Sequence, residues 1–192
     1  MAATQPIRDK EHIRRLTRYY LDKNQLRNHV LIVLGLHIAL RISDLLLLKW
    51  GDVYDFERNC VRSSITVIEK KTGKTTNIAL NRRAVSALEL YFAEDTVEPD
   101  GFLFVNKRTG KPISRIQAYR LIRAAGEAVA IEHRISCHSL RKTFGYHTWK
   151  SGVSPAVIME IYNHSSLAVT RRYLGVTQDD KDKVFLELDL TA

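Results

Sequence analysis

Three stretches of this sequence set ionisable or nucleophilic side chains in surroundings that favour burial. Arg41 ends the run Leu36-His-Ile-Ala-Leu-Arg-Ile-Ser-Asp-Leu, whose apolar members belong inside while a guanidinium does not. Asp44, three residues on, comes within reach of Arg41 if a helical turn continues, and the plain alternative is a structural ion pair. His138-Ser-Leu-Arg141 separates an imidazole and a guanidinium by nearly one helical turn, so both can face one point, although the same spacing also describes an ordinary polar helix face. In the third stretch, Asn163-His164-Ser165-Ser166 leads into Thr170-Arg-Arg-Tyr173, which puts a histidine nine positions before a tyrosine that would equally suit a core. Arginines in apolar company are what a metal-free enzyme needs to neutralise charge developing on a phosphate.

Other chemistries lack their residues. The sequence has no Gly-rich phosphate loop, no H-E-x-x-H, no G-x-S-x-G, and no paired carboxylates in metal-ligand company. With 192 residues, 45% hydrophobic and 27% charged, it has the composition of one sizeable globular domain rather than a disordered chain. A net charge of +9 favours a polyanionic partner, nucleic acid before an acidic membrane surface. The longest apolar run, Val30 to Leu36, is too short to span a bilayer, and the first residues carry no export signal. Cys60 and Cys137 are far apart, which argues against a disulfide framework and fits a cytoplasmic location. A zinc site at Cys137, His138 and His147 lacks a fourth ligand at a customary interval, and nothing marks an acyl substrate for a Cys137 thiolate.

The elements that must position these residues are mainly helical. Helices are expected from Asp9 to Asp22, Gln25 to Leu40, Ser43 to Trp50 and Arg82 to Ala93. Cys60 to Glu69, rich in β-branched residues, reads as a strand, Lys70 to Thr75 as a hairpin tip, and Thr76 to Leu80 as the return. After a basic loop, Asn106 to Ile113, the Ser114-Arg-Ile-Gln117 capping box opens a helix to Ala130. Shorter helices follow at His138 to Ser151, Pro155 to Tyr162 and Leu167 to Tyr173. The fold class is thus mainly α with one small antiparallel β-sheet (α+β). The stretch from Gln178 to Ala192 has five acidic residues against two lysines, leaving +12 on the rest. There Val184, Phe185, Leu188 and Leu190 would line one face of a solvated or partner-binding helix.

In order and separation these pieces resemble the catalytic domain of the tyrosine recombinases, the phage integrase family. Ala39-Leu-Arg41-Ile-Ser-Asp44-Leu is similar to its first arginine box, and Trp50-Gly51-Asp52 to the turn that follows. Lys71 matches the hairpin lysine, ahead of Lys70 or Lys74. His138 and Arg141 match its H-x-x-R, His164 its H/W position, and Tyr173 its nucleophile. Cys137 stands where Pro is frequent, Lys142 where a second His is common, Ala79 where the return strand often has Pro, and Tyr162-Asn163-His164 where Leu-Gly-His is usual. None of these departures removes a charged or nucleophilic atom.

The resemblance, which covers about residues 10 to 175, implies that Tyr173 attacks a DNA phosphodiester to give a 3′-phosphotyrosine and a 5′-hydroxyl. A phenol of ordinary pKa ~10 needs proton removal and nearby positive charge for this. Arg41 and Arg141 would hold the non-bridging oxygens, His164 would donate a further hydrogen bond, and His138 would assist proton transfer. Lys71 would protonate the leaving oxygen, with Asp44 supporting Arg41. The covalent bond retains the phosphodiester's energy, so no cofactor, ATP or metal is expected. Lys107, Arg108 and Lys111 in the loop, and Arg115, Gln117 and Arg120 on the capped helix, are the expected DNA contacts.

By the same resemblance residues 1–175 form the catalytic domain and 176–192 a tail that docks on a neighbouring protomer. The expected assembly is a monomer in free solution, binding DNA in a salt-sensitive way, and a homotetramer on synapsed duplex DNA. Fewer than ten residues precede the first helix, without the family's N-terminal clamping domain, as in a catalytic fragment or a naturally short member like the fimbrial inversion recombinases. Two alternatives accompany this reading: DNA relaxation of the type IB topoisomerase kind, and a non-catalytic DNA-binding module on the same fold.

Overall fold

The computed structural model describes residues 4–94 and 96–189. Its elements run α1 (Lys10–Leu21), α2 (Leu26–His37), α3 (Ile42–Leu45), α4 (Trp50–Val53), β1 (Tyr54–Asp55), β2 (Cys60–Val61), β3 (Ser64–Ile68), β4 (Thr75–Ala79) and α5 (Arg82–Glu94). Then follow α6 (Arg115–Ala128), α7 (Cys137–Lys150), α8 (Pro155–Ile161), α9 (Leu167–Leu174) and α10 (Gln178–Glu187). No described helix is long and apolar enough to cross a membrane.

Helix α2 is the axis of the molecule. It is buried from Asn28 to Leu36, as a helix apolar on all sides must be. Val30, Leu31 and Leu34 join α5 and the residues around Trp50 in one core, while Ile32 and Leu36 face a second core shared with α1, α6 and Leu140 of α7. A third cluster gathers Ala39, Ile158, Tyr162 and Leu174, joining the end of α2 to α8 and α9. The three arginine, histidine and tyrosine stretches of the sequence therefore meet around one end of α2.

Two expectations change in detail. The strand expected over Cys60 to Glu69 is interrupted, and the described residues form two two-stranded antiparallel sheets, β1–β2 and β3–β4, rather than one. Ser64 pairs with Ala79 and Ile68 with Thr75, so Glu69 to Lys74 form the tip. The helix expected from Ser43 to Trp50 is two short helices. The first ends at Leu45, and Lys49, in extended backbone ahead of the second, pairs with Phe102 and donates its N–H to the Asp52 carboxylate.

The Ser114 and Gln117 capping box of α6 is formed, with Ser136 and Ser166 capping α7 and α9. Gly145, one turn beyond Arg141, lets α7 approach Tyr162: a Cβ there would lie 2.5 Å from the Tyr162 hydroxyl. Phe185, near the end of α10, is 82% exposed, and Leu188, just beyond it, is 62% exposed. Leu190 and the side chain of Val184 lie outside the described residues.

Candidate active site

Arg41 follows the end of α2, where the chain reverses through Ala39 at φ 53°. This left-handed turn, costing a non-glycine residue about 1 kcal/mol, aims the Ala39 carbonyl at Arg141, whose Nη1 donates to it. Arg141 is 2% exposed; its Nη2 donates to the Tyr162 carbonyl at 3.0 Å and its guanidinium lies 4.4 Å from the Tyr162 ring centre. The Tyr162 hydroxyl donates back to the Arg141 carbonyl at 2.5 Å. Arg41 reaches the same Tyr162 carbonyl with Nη2 at 3.4 Å, so one peptide oxygen sits between both guanidiniums.

The carboxylate that pairs with Arg41 is Glu69, not Asp44. Arg41 occupies the N-cap position of α3 with an extended backbone (φ −68°, ψ 146°), so the helical i,i+3 geometry never forms between it and Asp44. Asp44 instead accepts the Lys70 N–H at 3.2 Å and braces the hairpin. Glu69 is almost fully buried and also receives Thr72 Oγ1 at 3.0 Å and Asn163 Nδ2 at 3.1 Å. Burial alone would raise its carboxyl, but the Asn163 and Thr72 hydrogen bonds and the Arg41 charge outweigh it and hold the group below the usual carboxylate range.

Arg41, Lys71, Arg115, His138, Arg141 and Tyr173 line one cleft of about 820 Å³, walled in part by Leu40, Ile42 and Ile116. His138 packs edge-on against Tyr173, ring centres 4.7 Å apart. His164 does not line the cleft but lies 4.5 Å from Tyr173, with Nδ1 3.0 Å from Thr170 Oγ1. Lys142 donates to the Thr4 carbonyl at 2.7 Å and its ammonium stands 5.7 Å from the Tyr173 ring.

Desolvation pushes both histidines down to about 4, assisted at His138 by Lys142, Arg141 and Arg41, and at His164 by Arg141 and Arg41. Both are therefore neutral at pH 7, free to accept a proton. The unfolded chain takes up these protons near pH 6.5 and the native state only near 4, so stability falls as pH drops through that window. The urea midpoint should decline from pH 7 to 4.5, and less steeply in a His138→Gln, His164→Gln double variant. Equal slopes would place the proton uptake at other groups. Burial also pushes the Cys137 thiol up to about 11, far from a reactive thiolate.

The expected DNA contacts are spread more widely. Arg115 and Arg120 are exposed on α6, and Arg115 alone of the expected contacts borders the cleft. Gln117 is exposed too, but its side-chain oxygen accepts the Ser114 N–H at 2.8 Å and so belongs to the helix cap. Lys107 and Arg108 border a separate hollow beside Arg27 and Asn28, and Lys111 is exposed on the same tight turn. Glu69 is the site residue the sequence reading missed; it continues the inward side of β3 after Ile65 and Val67, a period-two signal that marks it.

The model of the Phage integrase family matches residues 8–179. This chain is a member of that family. It is a site-specific recombinase of the tyrosine type. It is 39% identical over 179 residues to YoeC of Bacillus subtilis (strain 168), a probable integrase/recombinase, with 93% of each chain covered. It is 26% identical over 159 residues to the tyrosine recombinase XerA of Pyrococcus furiosus, covering 82% of this chain and 53% of XerA. Thus it spans nearly all of one relative and about half of the other.

A crystal structure of XerA recombinase superposes with a TM-score of 0.77 at 22% identity, over 97% of this chain and 65% of that one. A post-cleavage complex of XerH site-specific recombinase bound to a palindromic difH substrate gives 0.76 at 19% identity, over 98% of this chain and 55% of that one. At these identities the likeness is one of fold.

Proposed function

We propose that this integrase cleaves and rejoins duplex DNA with Tyr173 as nucleophile, forming a 3′-phosphotyrosyl bond and releasing a 5′-hydroxyl. The observation that carries the reading is the convergence of Arg41, Lys71, His138, Arg141 and Tyr173 on one cleft. The Tyr173 oxygen attacks phosphorus, its proton passing to neutral His138, while the bond to the 5′-oxygen breaks and Lys71 protonates that oxygen. Arg41 and Arg141 hold the non-bridging oxygens, each fixed donor lowering the barrier by about 3 kcal/mol. His164, its Nδ1 3.0 Å from Thr170 Oγ1, is the third hydrogen-bond donor on this reading. Asp44 acts through the hairpin rather than on Arg41.

Residues 1–175 are the catalytic domain on this reading, and 176–192 the tail that engages a neighbouring protomer of a DNA-bound tetramer. Exposed Phe185, Leu186 and Leu188 support that role for the tail. Lys107, Arg108, Lys111, Arg115 and Arg120 supply contacts to DNA, and the enzyme works in the cytoplasm.

The test begins with nicked, labelled duplexes of randomised sequence. The protein should trap a subset as SDS-resistant adducts whose sequencing yields the target; a protein that binds the pool and traps nothing is a binding module. On the recovered duplex, Lys71→Ala should slow cleavage ~10²-fold, yet cleave normally when the 5′-bridging oxygen is replaced by sulfur, a leaving group that needs no proton. If Lys70→Ala gives that pattern instead, the lysine is misassigned.

A further inference from the structure

Among the described residues the strands flanking Lys71, β3 and β4, pair only with each other, and the lysine itself is exposed at the tip. Near its tip that hairpin is held by side chains from other elements: Arg41 on Glu69, Asp44 on the Lys70 N–H, and Asn163, which alone of the three bridges both arms. Asn163 donates one amide hydrogen to Glu69 Oε1 at 3.1 Å and the other to Thr76 Oγ1 at 3.0 Å, so it grips the end of β3 and the body of β4 together. It reaches both because its own backbone is left-handed, φ 50°, in the turn between α8 and α9. The next residue is His164, and α9 carries Tyr173.

From this geometry we infer that Asn163 and Glu69 are positioning residues that lock the lysine hairpin to the segment bearing His164 and Tyr173, and so set the distance between Lys71 and the leaving oxygen. The inference rests on Lys71 being the proton donor proposed above. Glu69 suits the task because it is ionised, buried and shared: Arg41, Thr72 and Asn163 all donate to it. Thr72 lies next to Lys71 in the tip, so the carboxylate holds the turn from inside while Asn163 holds it from outside. Only a side chain with two hydrogens on one nitrogen serves Glu69 and Thr76 at once. An aspartate of the same shape has none, and would set its charge against that of Glu69.

Two variants test the lock. Asn163→Gly keeps the left-handed turn, which glycine adopts freely, and removes both hydrogen bonds. Asn163→Asp keeps the shape and reverses the interaction. Both should slow cleavage of the recovered duplex roughly tenfold (about 1.4 kcal/mol) while leaving the 5′-sulfur substrate within about twofold. Asn163→Gly added to Lys71→Ala should cost nothing more. In the free protein, amide exchange at Gly73 should accelerate about tenfold in both variants.

Equal slowing on the two substrates, or unchanged exchange at Gly73, overturns the lock while leaving Lys71 in its role. If Lys71→Ala itself slows both substrates alike, the proton-donor reading fails and the lock falls with it.

Discussion

Tyr173→Phe yields a protein that folds and binds DNA but forms no SDS-resistant adduct, cleavage falling by more than ~10⁴-fold. On the proposed chemistry the phenolic oxygen is the atom that becomes bonded to phosphorus. The ring itself stays, keeping its packing on His138 at 4.7 Å and on His164 at 4.5 Å, so the melting temperature should move by no more than a few degrees. Trapping on the recovered nicked duplex, read beside a binding titration, checks both halves. An adduct surviving in the variant would move the nucleophile to another residue and dismantle the proposed chemistry.

The second large effect is expected at Arg141→Lys. Charge is conserved, so a purely Coulombic role would be spared. The planar fork is not: Arg141 serves the Ala39 and Tyr162 carbonyls with two separate nitrogens while its face covers the Tyr162 ring. An ammonium cannot meet both carbonyls and a phosphate oxygen from one position. Cleavage should fall 10²- to 10³-fold, and unfolding should cost about 1–3 kcal/mol less because a buried carbonyl loses its partner. Arg41→Lys should share the catalytic loss with a smaller stability change, since its side chain is 19% exposed. Single-turnover trapping and urea unfolding of the two variants separate the contributions. Cleavage by Arg141→Lys within threefold of the parent would show that the fork geometry is not needed.

Much of this site was legible in the sequence because helices carry it. His138 and Arg141 are one turn apart on a real helix, and Tyr173 ends another, so spacing translated directly into direction. Where the backbone left the helix, spacing misled. Arg41 and Asp44 have the separation of a helical pair, but Arg41 sits in extended backbone ahead of α3, and its carboxylate comes from a residue 28 positions away. Such a pairing depends on how the β3–β4 hairpin folds back toward α2, which no local pattern encodes. Glu69 was visible only through strand alternation, on the same side as buried Ile65 while Ile68 points outward at 69% exposure. Charged residues in that register are easily taken for the start of a solvated turn. Lys70 and Lys71 lie beyond the end of β3, so strand alternation does not tell them apart. It is Lys71 that borders the cleft.

The atom lying between the two guanidiniums belongs to the main chain. No replacement of the Tyr162 side chain can delete that carbonyl, so the spacing of the two arginines is an inheritance of the chain's path rather than of any one codon. Attempts to retune this enzyme toward other phosphoryl acceptors would have to reroute the turn after α8, and libraries restricted to side chains would search around a fixed anchor.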